Sequence, residues 1–368
     1  MKLGPLQPIK GYSSPEIDAA SGRALTLCRS LGDRARLFPV LYARWAFQYV
    51  AGRHREGFAL SREYLEAARG SGDDAALIVG QRIHAAGLLM RGDAEGARAL
   101  ACEALQLYVP ERHRPLIARF GQDLRVQSRI YLALSQALLG RIDEARALGD
   151  EAIKHARSVN HLNTLGYALF HCGVWLRAIL RETDALRRHS AELLELAREH
   201  RLGFWKALVT PFLLEGEEAE RAVRVYRRDF NGGLTVPELL CRVADRYVAS
   251  GRTGEATRVL AESQELMEQH GDVYWEPELL RLSGRIAAAE GAPVEAVTAF
   301  ERALRLARER GAHLLELRAA VDLARLQAAQ GQPLEARQVL APVYGLFTEE
   351  ADAADVQEAR AVLAGLDG

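Results

Sequence analysis

The sequence predicts an all-α chain, a right-handed α-solenoid of about eight helical hairpins with a period near 40 residues. Three observations lead there. The turn Gly251-Arg252-Thr253-Gly254-Glu255-Ala256 recurs as Gly291-Ala292-Pro293-Val294-Glu295-Ala296 and as Gly331-Gln332-Pro333-Leu334-Glu335-Ala336, 40 residues apart each time. A second turn keeps the same spacing, at Gly32-Asp33 and Gly72-Asp73 and again at Gly271-Asp272 and Gly311-Ala312. No stretch alternates apolar and polar residues as a half-buried strand would. A fixed period in this range means stacked hairpins, because one hairpin cannot bury its apolar face without neighbours.

The elements follow from these punctuation marks. The first turn appears earlier at Gly52, Gly92 and Gly140, which phases the N-terminal hairpins. In the clearest unit Leu280, Gly284, Ala296, Phe300 and Ala303 fall at the spacings of the tetratricopeptide signature. Gly284 and Ala296 then lie where two helices cross closely, and Phe300 fills the gap to the next unit. The same crossing position is held by Ala85, Ala133, Ala244 and Ala324. In the second turn Gly supplies a left-handed helix end and Asp caps the next helix. The period exceeds the 34 residues of the standard tetratricopeptide unit, so helices about a turn longer are expected. It slips twice. The segment Val109 to Pro115 carries two prolines and predicts a loop bulging from the stack. The segment Pro211 to Pro237, with Asn231-Gly232-Gly233, predicts a degenerate hairpin. Residues 1–368 are read as one superhelical domain with irregularities at 108–123 and 211–237.

Composition narrows the function classes. Lys+Arg number 48 against 49 Asp+Glu, and the near-neutral balance disfavours nucleic acid as a partner. No apolar run approaches the roughly 20 residues of a membrane span, so no membrane partner is expected. The start, Met1 to Lys10, has too few apolar residues for a signal peptide. Cys28, Cys102, Cys172 and Cys241 stand singly, with no C-x-x-C pair, which predicts a cytoplasmic protein without disulfides or a zinc knuckle.

Chemistry is sparse. No Gly-Lys dipeptide exists for a phosphate loop, and no G-x-G-x-x-G, G-x-S-x-G or H-E-x-x-H is present. His161, His171 and Cys172, or His189 with Glu192, come nearest to metal-ligand spacing. On amphipathic helices such pairs are usually incidental, so no metal and no cofactor are expected. Glu217-Glu218 and Glu349-Glu350 sit in polar turns and read as solvated surface. Trp45 falls at a crossing position and reads as core. With no convergent acid and base, the chain is not expected to be an enzyme.

The solenoid itself suggests a binding surface. Inner helices of stacked hairpins line a concave groove, which residues three before and one after the crossing residue should face. Those rules single out Arg281 and Arg285 around Gly284, Val321 and Arg325 around Ala324, and Arg82 before Ala85; Arg318, six before Ala324, and Arg177, four after Gly173, are added to them. An arginine strip suits carboxylates, so a protein or acidic peptide is the expected partner. Intrahelical pairing competes with that reading, since Glu278 lies three before Arg281 and Asp322 three before Arg325. Near the proline-marked loop, Gln122 and Asp123 could orient a sugar or nucleotide in a pocket, or Asp123 could simply cap the helix through Tyr131.

Further residues carry a family resemblance. Gly11-Tyr12-Ser13-Ser14-Pro15-Glu16, Leu31-Gly32-Asp33 and Leu37-Phe38-Pro39-Val40-Leu41 open it; Gly121-Gln122-Asp123 with Tyr131-Leu132-Ala133-Leu134 continue it. Leu315-Glu316-Leu317-Arg318-Ala319-Ala320 and Leu340-Ala341-Pro342-Val343-Tyr344-Gly345-Leu346-Phe347-Thr348-Glu349 close it. Together they resemble the tetratricopeptide-like C-terminal sensor region of bacterial multidomain predicted ATPases of STAND/AAA type. Such regions are often fused to adenylate/guanylate cyclase or protein kinase domains. Leu124 and Leu346 depart from the family pattern, where a proline and a tryptophan are usual. The resemblance implies a non-catalytic protein- or peptide-binding scaffold or sensor, working with an ATPase, cyclase or kinase module in cis or in trans. The alternative it leaves open is a small-molecule sensor domain for a sugar or nucleotide.

Overall fold

The computed structural model of the chain describes residues 15–32, 34–347 and 352–366. Gly11 to Ser14, Asp33, Thr348 and the Glu349-Glu350 pair, used in the sequence reading, lie outside the described residues. Helix α1 (Pro15–Leu31) precedes the hairpin α2 (Arg34–Val50) and α3 (His54–Arg69). The next hairpins are α4 (Asp74–Met90) with α5 (Ala94–Leu107), and α6 (Leu124–Leu138) with α7 (Ile142–Val159). Helix α8 runs unbroken through Leu162–Ala168, a π-helical stretch Leu169–Trp175, and Leu176–Ile179, and pairs with α9 (Thr183–Glu199). Then come α10 (Gly203–Leu213) with α11 (Gly216–Phe230), and α12 (Val236–Ala249) with α13 (Thr253–His270). The last hairpins are α14 (Glu276–Ala289) with α15 (Pro293–Glu309), and α16 (His313–Ala329) with α17 (Pro333–Tyr344). Helix α18 (Ala354–Gly365) closes the stack. Among the described residues there is no strand.

The turn chemistry is as the spacing requires. Gly52, Gly92, Gly140, Gly251, Gly291 and Gly331 all take positive φ, between 74° and 82°, which a side chain would strain. At the crossings, a Cβ on Gly284 would lie 2.6 Å from the Phe300 ring, so only glycine lets α14 and α15 approach. Ala85, Ala133, Ala244 and Ala324 are wholly buried. Asp73 caps α4, accepting from the amides of Ala75 and Ala76. Asp272 does not cap: it turns inward instead and lies 3.6 Å from His54.

The irregular segments have structure of their own. Residues 110–120 form short helical turns rather than a plain loop, and Arg112 and Arg119 tie them back to Asp74 and Asp73. In the region from Pro211 to Pro237, α10 has only 11 residues and contains Pro211 near its end.

The stack winds back onto itself. The carbonyl of Val50, the last residue of α2, accepts from the amides of Gly233 and Leu234 at 2.9 and 3.1 Å. The carbonyl of Met90, the last of α4, accepts from Val273 and Tyr274 at the same two distances. Each pair of links spans 183 residues, so between four and five hairpins complete one superhelical turn and the second turn docks on the first. Farther along, the Arg318 guanidinium donates to the Ile179 carbonyl at 2.5 Å, and Arg181 pairs with Asp355 and Glu358. Those carbonyls at helix C-termini would otherwise need water, so the seam satisfies them.

Candidate functional site: a closed interior and a basic seam

The seam decides what the concave face can do. Instead of an open groove, the interior is filled by side chains from both turns. Trp175 donates its indole N–H to Glu238 at 2.6 Å, the Tyr274 hydroxyl donates to the same carboxylate, and all three residues are buried. Burial raises the Glu238 pKa.

The predicted arginines divide accordingly. Arg281 is 3% exposed and forms a bidentate pair with Glu278 as well as a bond to Asp322. Burial works against its charge, but the carboxylates of Glu278 and Asp322 more than offset this and its pKa rises. Burial likewise opposes the Glu278 charge, and Arg281 prevails, holding that carboxyl at about 2. Arg318 is 5% exposed and binds Asp355 through two nitrogens. Arg177 is buried against Asp150 and Glu182. Arg285, half-buried, pairs with Asp245; Arg325, exposed, pairs with Glu358 at 2.6 Å and is the one member of the strip facing open solvent. The expected basic strip is therefore an internal charge ladder, because the helices opposite it carry matching carboxylates.

Asp123 caps α6 through the Val126 amide, accepts from the Tyr108 hydroxyl, and donates its own amide to Thr164. Burial alone would raise its pKa; hydrogen bonds from His155 and Val126 lower it. It serves the helix end. Gln122 behaves differently. It accepts from the Gln127 side-chain amide and lines a cavity of about 30 Å³ together with Arg82. Six aromatic residues are among its walls: Tyr42, Trp45, Tyr49, Tyr167, Phe204 and Trp205. Thus Arg82 and Gln122 line one cavity, while Arg281 and Arg285 meet at Asp245 and Arg281 and Arg325 at Asp322. Trp45 is core, and also wall.

A second feature escaped the sequence reading. At the seam a groove of about 750 Å³ opens between the α2–α3 turn, α11 and the loop before α12. Arg53, Arg221, Arg224, Arg227, Arg228 and His270 line it, against the single carboxylate Asp272. Arg221, Arg224 and Arg228 are 61%, 62% and 74% exposed in their side chains, and each has a carboxylate neighbour on its own helix: Glu218, Glu220 and Asp229. Their spacing of three and four residues puts them on one face of α11. That stripe was the available signal.

No group of three or more His, Cys, Asp or Glu among the described residues could hold a metal ion, and no helix among them is long and apolar enough to cross a membrane. Cys28, Cys102, Cys172 and Cys241 are free.

No protein-family model matches the chain, and no curated protein is significantly similar to it. Solved structures are similar in fold. The APC/C hetero-tetramer Cut9-Hcn1 gives a TM-score of 0.51 at 15% identity, over 94% of this chain and 58% of that one. Yeast Tom70 gives 0.41 at 17% identity, over 90% and 63%. A Rap protein complexed with competence and sporulation factor gives 0.42 at 12% identity, over 94% and 82%. This chain thus spans about three-fifths of the Tom70 and Cut9-Hcn1 chains it matches. The likeness is one of fold, an α-solenoid of tetratricopeptide type.

Proposed function

We propose that the chain is a non-catalytic interaction and sensor module that holds an acidic segment of a partner protein in the basic seam groove. The observation that carries this reading is the groove's lining: five arginines and a histidine converge on about 750 Å³ with one carboxylate among them. An extended peptide fits that volume, and arginine forks hold carboxylates bidentately. Glu218 and Asp229, beside Arg221 and Arg228, form exposed pairs that contribute little, so an incoming acidic chain can exchange with them. Glu220, beside Arg224, is buried and also held by Tyr247 and Arg258. Because the groove is bounded by both superhelical turns, a bound segment bridges them and stabilises the closed coil. The resemblance to ATPase-linked sensor regions supports a partner of that kind, with an ATPase, cyclase or kinase module in cis or in trans.

The test is fluorescence anisotropy with a labelled Glu-rich peptide and a Lys-rich control, at low and high salt. Wild type should bind the acidic peptide only, and more weakly as salt rises. Replacing Arg221, Arg224 and Arg228 together by Glu should weaken binding at least tenfold, with an unchanged melting temperature. Equal affinity in the variant would refute the groove as the binding surface.

A further inference from the structure

A cavity of about 90 Å³ lies between the α8–α9 turn, the α10–α11 turn and α12. It shares no lining residue with the basic groove. Its buried floor is apolar, with Leu186, Phe212, Leu239 and Val243. Five arginines line it: Arg177, Arg181, Arg187, Arg242 and Arg246. Two carboxylates face them, those of Glu182 and Glu215.

Three of the five arginines are engaged. Arg177 donates to Asp150 and Glu182, and Glu182 spends its other oxygen on Arg146. Arg181 pairs with Asp355 and Glu358. Arg246 and Glu215 form an exposed pair at 3.2 Å. Arg242 and Arg187 differ, since neither has a carboxylate partner among the described residues. Half-buried Arg242 gives one nitrogen to the Ala178 carbonyl at 3.3 Å, and its guanidinium carbon lies 5.9 Å from the centre of the Phe212 ring. Its Nε and its other Nη have no acceptor among the described residues, and neither is sealed from water. Burial lowers the Arg242 pKa; Glu238 and Asp245 oppose this, and Arg246 and Arg318 reinforce it. The Arg187 fork and the Thr183 hydroxyl, both on α9 at the exposed rim, are without a partner too. The free groups of the lining are therefore donors, and two of them are cationic.

We infer that this cavity binds one dianionic phosphate group, held by Arg242 and Arg187 with the Thr183 hydroxyl donating at the rim. A phosphate group presents three strong acceptor oxygens and about two negative charges near neutral pH, and guanidinium forks meet it bidentately. A carboxylate has one charge and two oxygens, which a single fork satisfies. Clefts of one charge sign over apolar walls focus their field on an incoming anion. A cavity of this size takes several waters, and one tetrahedral oxyanion replaces them. The rim is exposed at Thr183, Arg187 and Arg246, so a small phosphate monoester fits as well as inorganic phosphate. The bound group ties α9 to α12, two hairpins farther along, and stiffens the superhelix there. It acts without any protein partner in the groove.

The experiment is calorimetric titration and thermal shift of the full chain, at fixed ionic strength and a pH of about 7.5, where the phosphate group is mostly dianionic. The four probes are inorganic phosphate, glycerol 3-phosphate, sodium acetate and sodium chloride. Both phosphates should bind and raise the melting temperature, the tighter one naming the free ion or the ester as the source. Acetate and chloride should not act. Arg242→Gln should weaken phosphate about tenfold or more, with a ligand-free melting temperature equal to or above that of wild type, because no carboxylate loses its partner. Arg187→Gln changes an exposed residue, so the chain folds as before and should bind phosphate several-fold more weakly. Replacing Arg221, Arg224 and Arg228 by Glu should leave phosphate binding in place. Acetate binding as tightly as phosphate, undiminished phosphate binding in either glutamine variant, its loss when the groove arginines are changed, or no response of wild type to either phosphate would overturn the proposal.

Discussion

Gly52 and Gly233 stand backbone against backbone across the seam, although 181 residues separate them. A Cβ on Gly52 would come within 2.8 Å of the Gly233 Cα and carbonyl carbon, and one on Gly233 would overlap the carbonyl of Ala51. The contact lets the Gly233 and Leu234 amides reach the Val50 carbonyl, and both glycines line the basic groove.

Gly233→Ala should therefore destabilise the chain by about 2 kcal/mol or more, because the added methyl meets backbone that cannot rotate away. Gly254→Ala is the control: a Cβ there meets nothing within 4 Å, so stability should hold or rise slightly. Urea denaturation followed by circular dichroism separates the two. Equal midpoints for both variants would show that the glycine contact is dispensable.

The arginine ladder makes a sharper contrast than its sequence suggests. Arg281→Ala leaves Glu278 buried without the cation paired to it and should cost about 3–5 kcal/mol. Arg325→Ala removes an exposed pair and should cost about 0.5 kcal/mol or less. Similar losses in the two variants, measured by the same denaturation, would contradict the burial described for Arg281.

How much of this was legible beforehand follows from range. The glycine turns and the small crossing residues act within one hairpin or between neighbours, so their 40-residue recurrence is visible in the chain. Gly284 stands at the close approach of α14 and α15 as expected, but the side chain it meets there is Phe300, expected to fill the gap to the next unit. The rule for the concave face selected Arg82 on α4 and Arg281 on α14, and both are buried. It could not say what lies opposite. The seam joins residues 183 apart, and whether they meet depends on the sum of small rotations between successive hairpins, which no local pattern records. Hence Arg281 and Arg318 were expected to be exposed and are buried. One local signal did distinguish Arg82: its helical neighbours Ile78, Val79, Ala85 and Ala86 are all apolar, whereas Arg281 has Glu278 three residues before it.

Acid should loosen the fold through its buried histidines. His171 and His54 each have a folded-state pKa of about 3, lowered first by burial, against an ordinary 6.5. Between those values the unfolded chain binds the proton and the folded chain does not. Their stabilising contribution is complete above pH 6.5 and is lost as pH falls toward 3, about 2 kcal/mol per histidine at pH 5. Asp272 acts in the opposite sense, since burial raises its pKa and protonation relieves its cost as pH falls. His171→Gln should remove one histidine's share, so the loss in stability from pH 7 to pH 5 should shrink by about 2 kcal/mol. Parallel pH profiles for variant and wild type would show that His171 is not buried in neutral form.

The closed coil underlies the proposed groove, and amide hydrogen exchange tests it most directly. Gly233, Leu234, Val273 and Tyr274 lie in connections between helices, where amides normally exchange within seconds to minutes, yet their N–H groups donate to Val50 and Met90 across the seam. If the second turn docks on the first, these four amides exchange as slowly as those in the middle of α12 and α14. If they exchange at the rate of exposed loop amides while the helices stay protected, the solenoid is open and neither the basic groove nor the Arg82 cavity exists as described.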